Sequence, residues 1–182
     1  MSNSDKPINQ PLRADRAKAD AWIKAFLRRV PFGMIATECD SQPFIKPTMF
    51  VYDENENVIY IHGALEGRMH TNIERNPRVS FCIAEMGRLL PTKTAMEVGV
   101  EYTSAVVFGN IEVLTDGDQA QHALQMLMDR FFPQLKAGVD YRGILPEEVN
   151  QTAVYRIKID SWSGKEYRAR EDFPKAFSYQ AP

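Results

Sequence analysis

Residues 58–83 read VIYIHGALEGRMHTNIERNPRVSFCI, and the chemistry in this stretch is that of an anion site. Gly63 and Gly67 bracket a loop that can turn its backbone N–H groups outward, and the helix expected after it presents N-terminal donors of its own. Arg68 adds a guanidinium, whose planar fork matches a phosphate with two parallel hydrogen bonds. The residues by themselves leave Arg68 two uses, phosphate ligand or solvated helix residue. Nothing else in the chain argues for hydrolysis, because no nucleophile–base pair or carboxylate dyad stands out. The two cysteines, Cys39 and Cys82, form no CxxC and join no Cys/His cluster. A zinc site or disulfide framework is therefore not expected, and a reducing, cytoplasmic location is.

These groups need elements to hold them. Ala19, Trp22, Ile23, Phe26 and Leu27 recur at helical spacing within residues 13–29, and Pro31 stops that helix. Short strands follow at residues 32–37 (FGMIAT), 45–52 (IKPTMFVY) and 58–62 (VIYIH), with the hairpin chemistry of DENEN between the last two. A short helix over residues 66–76 packs through Met69 and Ile73, and Asn76-Pro77 closes it. Residues 79–84 (VSFCIA) read as a buried strand, and residues 86–99 as irregular. A long strand over 102–114 is expected to bulge at Gly109. Asp116 caps a helix whose apolar face is Ala120, Ala123, Leu124, Leu127, Met128 and Phe131. After a loop over 133–148, residues 152–159 (TAVYRIKI) supply a last strand. About six short strands that do not alternate with helices suit a mainly β, antiparallel barrel with helices packed outside it.

The chain has 182 residues, 44% hydrophobic and 25% charged, enough to bury one core. Residues 1–12 read as an arm and 13–182 as a single domain. A formal net charge of −2 argues against nucleic acid as a partner. The polar N-terminus has no signal-peptide pattern, and no apolar run approaches the roughly 20 residues that span a bilayer, so no membrane partner is expected.

The 58–83 stretch resembles the strand–loop–helix–strand segment of the FMN-binding split barrels related to pyridoxamine 5'-phosphate oxidase. Its HGA..GR form is similar to the nitroimidazole-reductase-type branch. Three later segments agree in order: SAVVFG (104–109), the helix near 119–132, and SWSGKEYR (161–168). The resemblance implies an antiparallel six-stranded split β-barrel with flanking helices, FMN as cofactor, and a homodimer with flavin sites between the subunits. It implies cofactor contacts from Lys46, Thr48, His62, Gly63, Ala64, Gly67, Arg68, Ser104 and Lys165. His62 would face the flavin or substrate cavity, as the one candidate catalytic residue, orienting substrate or passing a proton. Trp162 either covers a ring face or packs in the core. Many relatives carry lysine where this chain has Met69, and methionine cannot supply that second charge. The implied activity is oxidoreduction of a small molecule, and amine oxidation, nitro-group reduction and quinone-type reduction all suit a flavin. The other reading is a flavin- or haem-binding module of the same fold that does not turn over.

Overall fold

The structure, a computed structural model, describes residues 7–180. Residues 1–6 of the expected arm and 181–182 of the domain lie outside the described residues. One antiparallel sheet dominates. Its strands are β1 (Ala17–Lys18), β2 (Phe32–Cys39), β3 (Gln42–Met49), β4 (Val51–Asp53), β5 (Val58–Gly63), β6 (Arg78–Leu90), β7 (Gly99–Val113), β8 (Ala153–Tyr167) and β9 (Phe177–Ser178). The main path runs β3-β2-β6-β7-β8-β5-β4, while β1 pairs with β8 and β9 with β6. The two ends of that path, β3 and β4, are one stretch of chain interrupted only at the fully buried Phe50. The sheet thus returns on itself as a barrel, with β3 and β5 unpaired across its open seam. Pro43 and Pro47 are tolerated on β3 because its outer edge has no strand partner.

Among the described residues there are nine strands where six were expected. The surplus comes from the two-residue β1 and β9 and from the break at Phe50, which cuts the strand expected over 45–52 into β3 and β4. Residues 86–99 are not wholly irregular, because β6 runs to Leu90 and β7 begins at Gly99. Alternation there is hard to read because Met86, Gly87 and Arg88 meet a register shift. Residues 161–167 continue β8 beyond the strand expected to end at Ile159.

Among the described residues four α-helices pack around the sheet: α1 (Asp20–Arg29), α2 (Arg68–Arg75), α3 (Gly117–Phe131) and the short α4 (Pro146–Val149). The first is shorter than expected, since Ala14–Arg16 form a 3-10 turn and residues 17–18 pair as β1. The fourth begins within the stretch 133–148 expected to be loop and ends one residue past it. The Asp116 cap is present, its side chain accepting from the Gln119 N–H at 3.0 Å. The bulge falls between Phe108 and Gly109, where a Cβ would sit 2.1 Å from the Lys158 carbonyl oxygen, so only glycine fits.

Ile35, Phe81, Ile83, Val107, Ile59 and Ile61 fill the barrel, closed at its ends by α1 through Phe26 and Leu27 and by α2 through Met69 and Ile73. A second cluster joins Ala120, Ala123 and Leu127 of α3 to Val51, Val58, Tyr60 and Val154. β5 is therefore covered on both faces, which explains its uninterrupted apolar run. The outward face of β2, β3, β6 and β7 has no such cover. Phe32, Met34, Ile45 and Met49 stand exposed there, beside half-buried Cys82, Val106 and Phe108.

Candidate functional site

The loop after β5 is held from below. Thr152 Oγ1 donates to the Gly63 carbonyl at 2.8 Å, and the Tyr155 hydroxyl lies 3.3 Å from the Ala64 carbonyl. That hydroxyl also sits 2.9 Å from His70 Nδ1, linking loop and helix. Burial pushes the Tyr155 hydroxyl pKa up to about 12, which keeps it a neutral hydrogen-bonding group. Ala64, Gly67 and Arg68 are exposed along the loop's rim.

Gly67 has φ +117°, a conformation that needs glycine, and occupies the N-cap position of α2. No side chain caps this helix. Its first N–H groups are therefore available to an anion, in the place where a Ser or Asp would otherwise satisfy them. Arg68 opens the helix and points to solvent, consistent with a ligand role.

Lys46 joins the same place from across the seam. It lies on the inward side of β3, opposite Ile35, and its Nζ comes within 3.2 Å of where a Gly63 Cβ would be. Thr48, two residues on, is buried, and its hydroxyl donates to the Met49 carbonyl at 3.0 Å. Its proton is spent locally, leaving only acceptor capacity for a ligand.

Met69 does not line the cradle's open side. It is 6% exposed and packed in the core, its Cε 3.4 Å from the position a Gly63 Cβ would take. In the first turn of α2 the chain points Arg68 outward and the next residue inward, so a lysine here would project beneath the loop.

His62 precedes the loop, and its Nδ1 is buried without a hydrogen-bond partner. Burial, and then the nearby Lys46 charge, lower its pKa, so the ring is neutral near pH 7. It borders a cleft of about 330 Å³ shared with Met49, Leu124, Leu127, Met128 and Phe131. His62 was expected to face a cavity, but the other walls, from segments far apart in the chain, were not legible in the sequence.

Ser104 and Lys165 lie elsewhere. They are direct cross-strand partners on β7 and β8, half-buried on the outward face. Val154 pairs with His62, and Lys165 is eleven residues farther along β8. At about 3.3 Å per residue that is roughly 36 Å of strand path. One chain thus divides the candidate ligands into two groups, Lys46 to Arg68 at one end of β8 and Ser104 with Lys165 at the other. Beside the second group stand residues the sequence reading missed. Arg16 lies 4.2 Å over the Tyr167 ring and donates to the Tyr102 hydroxyl at 3.1 Å, and Lys165 Nζ lies 5.8 Å from the Tyr102 ring. Trp162 is half-buried, packs against Tyr52 at the edge of the core and donates to Asp20 Oδ1 at 2.8 Å, the packing use of the two expected.

A seamed antiparallel barrel, with an uncapped helix following the glycine loop, defines a split-barrel protein. The family model described as pyridoxamine 5'-phosphate oxidase matches residues 19–166, and the chain belongs to that family. No curated protein matches it in sequence. Among solved structures, the FAD and haem binding protein from Mycobacterium smegmatis is similar at a TM-score of 0.75 and 21% identity, covering 85% of this chain and 74% of that one. The flavocytochrome Anf3 from Azotobacter vinelandii gives 0.74 and 20%, covering 95% and 85%. A putative 5-nitroimidazole antibiotic resistance protein from Bacteroides thetaiotaomicron gives 0.68 and 17%, covering 82% and 84%. At these identities the likeness establishes the fold. Among the described residues no helix is long and apolar enough to cross a membrane.

Proposed function

We propose that the chain binds FMN and serves as a flavin-dependent oxidoreductase acting on a small molecule. The observation that carries this reading is the glycine loop itself, with Lys46 reaching it at Gly63 and the uncapped start of α2, with Arg68, following it at Gly67. The donor set fits a phosphate group: two cations and unpaired backbone N–H groups, with no carboxylate in the loop's mouth other than the exposed Glu66. The FAD and haem binding protein from Mycobacterium smegmatis and the flavocytochrome from Azotobacter vinelandii support a flavin as the cofactor class, and the phosphate-type donor set is the reason for choosing FMN within it.

Bound flavin would supply the redox chemistry, and this chain's residues would bind and orient. Thr152 and Tyr155 hold the Gly63 and Ala64 carbonyls, which would leave the loop's N–H groups to hold the phosphate. Neutral His62, beside the cleft, would offer a substrate one ring nitrogen, donor or acceptor according to tautomer, and could pass a proton to it.

The two separated ligand groups support a homodimer. Ser104 and Lys165 sit on the uncovered apolar face, and a two-fold axis through that face would carry them to the partner's loop. Lys165, with Arg16 close by, would then place positive charge at the flavin ring while the partner's loop holds the phosphate. The cytoplasm, where thiols stay reduced, suits the two free cysteines.

A second reading, a haem- or flavin-binding module without turnover, draws on the unpartnered His62 nitrogen beside an apolar cleft. The absorption spectrum of the purified protein separates flavin from haem, and turnover with NAD(P)H and candidate acceptors separates enzyme from carrier. Flavin bands, FMN released on denaturation and turnover support the first, a Soret band or bound flavin without turnover supports the second, and a colourless protein that takes up neither overturns both.

A further inference from the structure

The cleft beside His62 says more about substrate than the fold does. Its walls come from α3, from Met49 at the end of β3, and from Ile144. The apolar stripe of α3 is wider than the sheet can cover. Ala120, Ala123 and Leu127 are buried against β4 and β5, whereas Leu124, Met128 and Phe131, spaced three and four residues apart, remain half-buried along the cleft. Only two lining residues carry polar side chains, His62 and Glu148. Glu148 is already engaged, accepting from the Leu145 N–H at 3.0 Å and pairing with Arg142 at the rim. Among the described residues no lysine or arginine lines the cleft. The cations near it are Lys46, whose charge reaches His62, and Arg142, already paired with Glu148 at the rim. An anionic substituent would therefore have no direct counter-charge in the cleft wall.

From this we infer that the cleft binds an uncharged, largely apolar molecule of one or two fused rings, anchored by a single hydrogen bond to His62. The inference rests on the oxidoreductase reading for its role as substrate site, but not for the binding itself. Size agrees: the cleft's volume of about 330 Å³ is roughly twice that of an apolar cavity that holds benzene. Lining agrees as well, since small-molecule sites are mostly apolar with a few placed polar groups. Phosphorylated or carboxylated substrates are disfavoured here, because stripping water from an unpaired charge is costly. The neutral imidazole completes the selection: it can accept from a hydroxyl or donate to a carbonyl without introducing charge.

The test compares ligands that share one ring system. 1-Naphthol, naphthalene, naphthalene-1-sulfonate and 1-naphthyl phosphate are titrated by fluorescence against the protein as purified and after loading with FMN. 1-Naphthol is expected to bind at least about tenfold more tightly than either anion. His62→Phe should remove the preference for 1-naphthol over naphthalene. Met128→Trp, which fills the cleft, should abolish naphthol binding while flavin uptake persists, and Leu124→Trp serves if that variant does not fold. Equal or tighter binding of the anions, or naphthol affinity unchanged in the folded tryptophan variant, overturns the inference. Protein that binds naphthol in this pattern but takes up no flavin would overturn the flavin reading alone. Protein that takes up flavin but fails the naphthol pattern would overturn the cleft inference alone.

Discussion

Lys46 and Gly63 face each other across the open seam of the barrel, the Lys46 ammonium 3.2 Å from the point a Gly63 Cβ would occupy. No backbone pairing joins β3 to β5, so this approach is a side-chain bridge where the sheet has none. Glycine at 63 leaves room for the ammonium at the loop. Replacing it with alanine forces the lysine tip to give by a few tenths of an ångström, which a flexible side chain does cheaply. Gly63→Ala is therefore expected to cost about 1 kcal/mol or less in stability. It should nonetheless weaken FMN more than riboflavin, because the displaced charge no longer addresses the phosphate. Thermal melts with titration of both flavins check this; equal weakening of the two would separate Lys46 from phosphate binding.

Arg68→Ala should act on the phosphate alone. A hydrogen bond to a charged group contributes roughly 1.5–3 kcal/mol, so FMN affinity should fall about tenfold or more while riboflavin affinity stays level. Titration of flavin-free protein reads it directly.

Met69→Lys brings no gain of affinity, contrary to what the family pattern suggests. The side chain at 69 is buried under Gly63, close to the place already taken by the Lys46 ammonium. A lysine there trades packed methionine for a second cation beneath the loop. A loss of about 2–4 kcal/mol is expected, or roughly 5–15 °C in Tm. A variant as stable as wild type with tighter FMN binding would show that the lysine reaches the phosphate.

How far the sequence carried is plain in particular residues. The Gly63–Gly67 loop, the Asp116 cap and the Gly109 bulge each depend on neighbours within a few positions, and each was legible. The seam was not, because the break at Phe50 lies inside a run whose apolar pattern continues through it. Lys46 could be placed on a strand but not against Gly63, since that contact depends on how β3 and β5 face each other after closure. The cleft drew on α3 residues already assigned to an apolar face; what the pattern could not say is that half of that face stays uncovered. Met69 shows the opposite failure. Its neighbour Arg68 carries the anion chemistry, but adjacent helix positions point about 100° apart.

His62 gives a pH signature. Its folded pKa is lowered, by burial first and by Lys46 second, so folding favours the neutral ring. The stability it contributes is therefore full above the unfolded value near 6.5 and is lost as pH falls through the lower folded value. His62→Gln should flatten the fall of Tm on acidification below pH 6.5 relative to wild type. It should also reduce turnover more than flavin content if the ring meets substrate. An identical pH profile in variant and wild type would assign the acid sensitivity to other groups.

The composite site is tested through the uncovered face. Pro47, Met34, Cys82, Val106 and Ser163 form one cross-strand row over β3, β2, β6, β7 and β8. Ser104 lies two residues from Val106 on the same side of β7, and it faces Lys165. A charge at Val106 would sit at the centre of any two-fold contact through this face, where an unpaired ion is costly. Val106→Lys should therefore give a monomer by light scattering with a Tm near that of wild type, because the residue is only half-buried in one chain. Its FMN affinity should drop even though Lys46, Arg68 and the loop are untouched. Lys165→Ala, in contrast, should leave a dimer whose FMN and riboflavin affinities fall by similar factors, since it would meet the ring end and not the phosphate. Mixing Arg68→Ala with Lys165→Ala subunits gives the decisive measurement. If each site takes its loop from one chain and its lysine from the other, the mixed dimer regains one intact site and half of the wild-type flavin capacity. If both groups served the same chain's flavin, every site in the mixture would remain defective.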